Sequence, residues 1–136
     1  MSPKVINATF SMDSLPSVGD AELDYQHRTL LRLCLEATAS CDRGLDSDAY
    51  RRLTDFADLL KLHFISEEER LQAVNYHDLS THKQLHIEIG ETLSSLLASA
   101  ASGRCAPVDI FKFLLHWFEN HVLRADLQFA PCLTKR

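Results

Sequence analysis

Residues 53–71 read LTDFADLLKLHFISEEERL, and the spacing within this stretch indicates the fold class. One residue in every three or four belongs to a single stripe, as on one face of an α-helix. The stripe consists of Leu53, Phe56, Leu60, His63, Glu67 and Leu71. Burying an unpaired charged group costs on the order of several kcal/mol. His63 and Glu67 therefore predict a polar site inside a helical core.

Three further stretches share this helical spacing. The four predicted helices run over about 20–40, 46–74, 78–101 and 107–130. Asp20 is a good N-cap for the first, Pro107 suits the first turn of the fourth, and Pro131 is expected to end it. Long helices joined by short loops predict an all-α, antiparallel up-down-up-down four-helix bundle. Residues 1–19 are expected to form an irregular N-terminal arm, and residues 20–136 the bundle.

The length, charge and hydrophobicity of the chain argue against several classes of protein. The chain has 136 residues, 46% of them hydrophobic, which fits one domain with a proper core. Its net charge of −5 argues against nucleic acid as a partner, since a nucleic-acid binder needs a basic face. No run of 18 apolar residues exists, which argues against a membrane span, and the start of the chain lacks a signal-peptide layout. We therefore expect a cytoplasmic protein whose four cysteines are free thiols.

Polar residues occupy positions on all four predicted stripes where a bundle normally places leucine or isoleucine. They are His27, His63, Glu67, His82, His86 and His121. A single one could be a hydrogen-bonded core histidine, but six on four helices predict a metal cluster, because a cation satisfies every ligand. His63–Glu67 and His82–His86 are i, i+4 pairs that share a helix face.

Asp126 is a further candidate ligand. In a regular α-helix it would lie about 140° around the axis from His121, so the two side chains do not stack. Its carboxylate could reach across to bridge two metals, or it could be a solvated residue near a helix end. The spacing leaves both interpretations open.

The set of candidate ligands indicates which metal to expect. Imidazole combined with carboxylate suits iron and oxygen chemistry, whereas seven ligands exceed one tetrahedral zinc site. A metalloprotease is unexpected because the HxxxH pair lacks the HExxH glutamate. Five histidines against two carboxylates leave an iron pair more positive than in carboxylate-rich di-iron bundles. We expect this balance to favour holding oxygen over forming high-valent oxidants.

Four motifs, in this order and at these separations, resemble the hemerythrin family, including bacterial hemerythrins and hemerythrin-like domains. They are DxQH at 24–27, HFxxEE at 63–68, HxxxH at 82–86 and WxxxHxxxxD at 117–126. The resemblance covers about residues 18–129. It implies two iron ions joined by an oxo or hydroxo group, and a protein that binds dioxygen reversibly for storage or delivery and is not an enzyme.

The resemblance also implies a role for each candidate ligand. His82, His86 and His121 would ligate one iron, and His27 and His63 the other. Glu67 and Asp126 would bridge the two ions. The iron with two histidines keeps an open position, and dioxygen would bind there.

Oxygen binding of this kind needs a dry pocket. The residues expected to wall it are Trp117, Phe118, Leu30, Leu31 and Leu60, all of which could equally be plain core residues. Two other functions stay open. One is an oxygen- or redox-sensing input domain of a larger signalling protein, such as a diguanylate cyclase or a chemoreceptor, with a fused or separate output domain. The other is a di-iron peroxidase.

Overall fold

A computed structural model of the chain describes residues 15–134, without the side chains of residues 123–125 and 134. The described part is helical apart from residues 15–20 and the connections between helices. Its elements are α1 (Ala21–Asp42), α2 (Asp46–Ala73), α3 (Leu79–Ala101), α4 (Pro107–Asn120), a π-helical turn (His121–Asp126) and α5 (Leu127–Thr134). Most of the predicted N-terminal arm, residues 1–14, lies outside the described residues, so its boundary at residue 19 stays a prediction.

Local chemistry explains where α1 and α4 begin and where the chain turns between α1 and α2. Asp20 is the N-cap of α1, and its Oδ1 accepts a hydrogen bond of 3.0 Å from the backbone N–H of Leu23. Gly44 lies in the α1–α2 turn at φ 72°, a left-handed conformation that favours glycine. Pro107 occupies the first turn of α4, where its missing N–H costs no helical bond. The four helices begin at Ala21, Asp46, Leu79 and Pro107, each within one residue of its predicted start.

The end of the fourth helix was predicted wrongly. The helical chain runs through the π turn into α5 and continues past Pro131. A proline inside a helix costs about 3 kcal/mol. Phe129 and Leu133, on either side of it, are 0% and 2% exposed, and burying two such side chains returns roughly 3–6 kcal/mol. Tertiary burial thus outweighs the local preference of proline.

The buried apolar side chains among residues 15–134 form two clusters. The larger cluster has 15 buried residues, among them Leu31, Phe56, Leu60, Leu93 and Phe111. The smaller cluster lies at the end of the bundle where α1 begins and α2 ends. Its buried members are Val18, Leu23, Leu71, Tyr76, Phe129 and Leu133.

The two clusters also fix the direction of the helices. Leu23 near the start of α1 packs with Leu71 near the end of α2, so these neighbours are antiparallel, as predicted. His82, near the start of α3, contacts Phe129 of α5, so the start of α3 lies beside the last helix of the chain. Within residues 15–134, none of the helices is long and apolar enough to cross a membrane.

Candidate metal centre

A layer of polar side chains lies between the two apolar clusters. All seven candidate ligands meet there, and each is at most 5% exposed. Their ligand atoms form two groups, and within each group all the atoms lie within 4.8 Å of one another. The first group is Glu67, His82, His86 and His121, and the second is His27, His63, Glu67 and Asp126. We call the first group, with the imidazoles of His82, His86 and His121, the three-imidazole half. The second group, with the imidazoles of His27 and His63, is the two-imidazole half.

In the three-imidazole half, the rings of His82, His86 and His121 contact each other in pairs. Their ring centroids are 4.7 to 5.2 Å apart. His82 Nε2 lies 2.6 Å from Glu67 Oε1, and His86 Nε2 lies 2.9 Å from the same oxygen. His121 Nε2 lies 3.1 Å from Asp126 Oδ1. Three ring nitrogens and Glu67 Oε1 therefore lie around one point, and Asp126 Oδ1 lies beside two of those nitrogens, on His82 and His121.

The two-imidazole half is built by α1 and α2. The Nε2 atoms of His27 and His63 are 3.1 Å apart. His63 Nε2 lies 3.1 Å from Glu67 Oε2, and His27 Nε2 lies 3.2 Å from Asp126 Oδ2. This half has the same two carboxylates as the other but one imidazole fewer.

Each carboxylate divides its two oxygens between the halves. Glu67 directs Oε1 to His82 and His86, and Oε2 to His63. Asp126 directs Oδ1 to His82 and His121, and Oδ2 to His27. Such an arrangement can hold two cations side by side with both carboxylates spanning the pair.

The π turn explains how Asp126 reaches the centre. In this turn the backbone hydrogen bond joins residues five apart, so a residue five positions on lies one turn above its partner. His121 and Asp126, which an α-helix would separate around the axis, thus face the same point. The sequence showed the five-residue spacing but carried no signal for a π turn.

The polar layer fits a cation. Among the described side chains, six buried polar atoms have no partner with hydrogen-bond geometry. They are His27 Nδ1, Glu67 Oε2, His86 Nε2, His121 Nε2, and Asp126 Oδ1 and Oδ2. Five of the six, all but His27 Nδ1, lie within 3.2 Å of a neighbouring ligand atom. Buried polar atoms left this way are costly, and metal coordination would satisfy those five.

The charges of the side chains in this layer also favour a bound cation. Burial alone would raise the pKa of Glu67, but its four histidine partners hold it well below the usual range. The pKa of Asp126 is also lowered, because His121 and His27 outweigh burial and the neighbouring Glu67. Burial alone would lower the pKa of His27 and of His82, yet Asp126 and Glu67 raise each to about 9. The pKa of His63 is lowered by burial. Two ionised carboxylates in an apolar core require positive charge beside them.

Two imidazoles are held from outside the centre by residues that the sequence analysis quoted only as parts of motifs. His63 Nδ1 donates to Gln26 Oε1 at 2.6 Å, and His86 Nδ1 donates to Glu68 Oε2 at 2.6 Å. These bonds leave both Nε2 atoms free to face the centre. The sequence contains one indication of these residues, which is that each is a direct neighbour of a candidate ligand. Gln26 precedes His27, and Glu68 follows Glu67.

Comparison with known proteins gives the family. The profile described as "Hemerythrin HHE cation binding domain" matches residues 18–133. The chain belongs to the hemerythrin family. It is 27% identical over 112 residues to Bacteriohemerythrin of Methylococcus capsulatus, covering 82% of this chain and 86% of that protein. It is 28% identical to the Hemerythrin-like protein of Naegleria gruberi, covering 94% and 97%. Family membership agrees with the prediction that the chain is not an enzyme.

Solved structures agree on the fold. A wild-type hemerythrin crystal structure superposes with a TM-score of 0.82 at 24% identity, covering 93% of this chain and 97% of that one. The crystal structure of a leucine-to-phenylalanine variant also gives a TM-score of 0.82, at 25% identity, covering 93% of this chain and 96% of that one. The predicted all-α bundle is thus the hemerythrin fold.

The two aromatic residues expected to wall an oxygen pocket, Trp117 and Phe118, contact different halves of the polar layer. Trp117 stacks on His121, with centroids 4.9 Å apart, so it borders the three-imidazole half. Phe118 meets His27 edge-on at 6.3 Å and borders the two-imidazole half. Leu30, Leu31 and Leu60 are buried in the larger cluster. Sequence reasoning missed Phe64, which stacks on His86 at 3.8 Å.

Proposed function

We propose that this hemerythrin-family chain holds two iron ions in the polar layer and binds dioxygen reversibly there. His82, His86 and His121 would hold one ion, and His27 and His63 the other. Glu67 and Asp126 would each offer one oxygen to either ion, and an oxo or hydroxo group would complete the centre. The observation that carries the proposal is the division of both carboxylates between the two halves. The names of the two relatives, Bacteriohemerythrin and Hemerythrin-like protein, support the same class of protein.

When bound there, a ferrous pair would supply the two electrons that reversible dioxygen binding requires. The chain's own residues provide the conditions for this. The two-imidazole half, with one nitrogen ligand fewer, is where we place the dioxygen. Phe118 and Leu30, both 1% exposed, and Leu60, 2% exposed, lie in the apolar cluster beside it and exclude water and its protons. Gln26 and Glu68 keep His63 and His86 in the orientation that ligation needs.

The proposal is tested by iron analysis together with visible spectroscopy of the anaerobically reduced protein, before and after oxygen is admitted. We expect two irons per chain and charge-transfer bands that form with oxygen and fade under vacuum. Conversion in one step to a stable diferric form would favour the oxygen- or redox-sensing function instead. Absence of iron, or a single bound zinc, would overturn the proposal.

A further inference from the structure

Two of the imidazoles that face the centre are held from behind by groups of different charge. His86, in the three-imidazole half, donates from Nδ1 to the carboxylate of Glu68 at 2.6 Å. His63, in the two-imidazole half, donates from Nδ1 to the neutral amide of Gln26, also at 2.6 Å. In both rings Nε2 lies close to Glu67, at 2.9 Å from His86 and 3.1 Å from His63. The two supporting hydrogen bonds thus have the same length, but the acceptor is charged in one and neutral in the other.

The orientation of the Gln26 amide follows from its other contacts. Its Nε2 donates to Ser66 Oγ at 3.3 Å and to Glu22 Oε1 at 3.4 Å, so Oε1 is left to accept from His63. Glu22 is in turn held by Arg70, whose guanidinium donates to Glu22 Oε2 at 2.6 Å. A chain of hydrogen bonds therefore runs from a surface ion pair to the ring of His63.

A carboxylate and an amide affect an imidazole differently. Both accept the Nδ1–H and so fix the tautomer and the plane of the ring. The carboxylate makes the stronger, charge-assisted bond and pulls the ring proton towards itself, which increases the electron density that Nε2 offers to a metal. A metal with a stronger donor favours its higher oxidation state.

We infer that Glu68 and Gln26 are positioning residues that make the two halves unequal electron donors, with the three-imidazole half the stronger. The inference rests on the proposed iron pair and deepens it. Glu68 favours the ferric state of the iron ligated by His86. Gln26 orients His63 without adding charge to the half where dioxygen is placed.

The first test is the midpoint potential of the iron-loaded Glu68→Gln protein. Glutamine is nearly isosteric and keeps an acceptor for His86 Nδ1, so only the charge is removed. We expect the potential to rise above that of the parent. The matched control is Glu69→Gln, which removes the same charge from an exposed position one residue further along α2. A rise no larger than that of the control would overturn the inference.

The converse test is Gln26→Glu, which places a carboxylate behind His63 as well. We expect its midpoint potential to fall below the parent value, and below that of Gln72→Glu, a control at an exposed position of α2. This variant also decides the matter if Glu68→Gln fails to retain iron. A potential equal to that of Gln72→Glu would contradict the assigned role of charge.

A third pair of variants separates positioning from charge. Gln26→Leu and Glu68→Leu remove the acceptor altogether, and each should weaken iron retention against a chelator by about 10- to 100-fold. Retention equal to the parent would show that neither residue positions its histidine. A parent protein that takes up no iron would instead overturn the proposed function, so the two failures are distinguishable.

Discussion

At the scale of single residues, Glu67 offers the sharpest test of the centre because its carboxylate contacts both halves. The side chain is fully buried and lies within 3.1 Å of three imidazoles. Glu67→Gln should lower the iron content below two per chain and destabilise the loaded protein by roughly 3–5 kcal/mol, since it breaks a buried charged cluster. Iron analysis and thermal unfolding measure both effects. Glu69→Gln is the control and should change stability by no more than about 0.5 kcal/mol.

His27 and His82 give the metal-free protein a characteristic pH dependence. Their folded pKa values are raised to about 9 from an ordinary 6.5, because Asp126 and Glu67 outweigh burial. A raised pKa contributes stability that is complete below pH 6.5 and is lost as the pH rises towards 9. The melting temperature of chelator-treated protein should therefore fall between pH 6.5 and 9. A flat profile over this range would contradict these pairings.

At the scale of elements, the π turn is one residue longer than an α-helical turn, so removing one residue from it restores a regular helix. Deleting residue 124 should keep Phe129 and Leu133 buried and preserve the fold. Deleting Lys112, an exposed residue in the regular helix α4, rotates everything after it by about 100° and should abolish iron binding. Circular dichroism, thermal unfolding and iron analysis compare the two. Equal loss of stability would show that the turn is not a one-residue insertion.

The same turn marks the limit of what the sequence predicted. Helical periodicity and capping residues such as Asp20 and Pro107 are local signals, and they predicted the bundle and where its helices begin. The stripes also singled out the histidines, because polar residues at core positions are conspicuous. Asp126 could not be placed by spacing, since its position depends on a π turn that only the packed helix specifies. Pro131 was misjudged for a related reason, as burial on both sides of it overrides its local preference.

At the scale of the whole molecule, the polar layer separates apolar clusters of unequal size, with 15 and six buried residues. Removing the metal leaves buried carboxylates and imidazoles without cations, and the smaller cluster has less apolar burial to withstand this. Hydrogen exchange of metal-free protein should therefore accelerate most around Leu71, Tyr76 and Phe129, and least around Phe56 in the larger cluster. Uniform acceleration across both clusters would contradict this expectation.

The division of each carboxylate between the halves has a consequence for how the protein fills. An ion that enters one half aligns Glu67 and Asp126, and so places their second oxygens for the other half before its ion arrives. If the proposed iron pair forms, the first ion would order the carboxylates of both halves, and the second ion would bind more tightly. Protein given one equivalent of ferrous iron should then separate into empty and doubly loaded molecules. Native mass spectrometry would show a singly loaded species well below its statistical share.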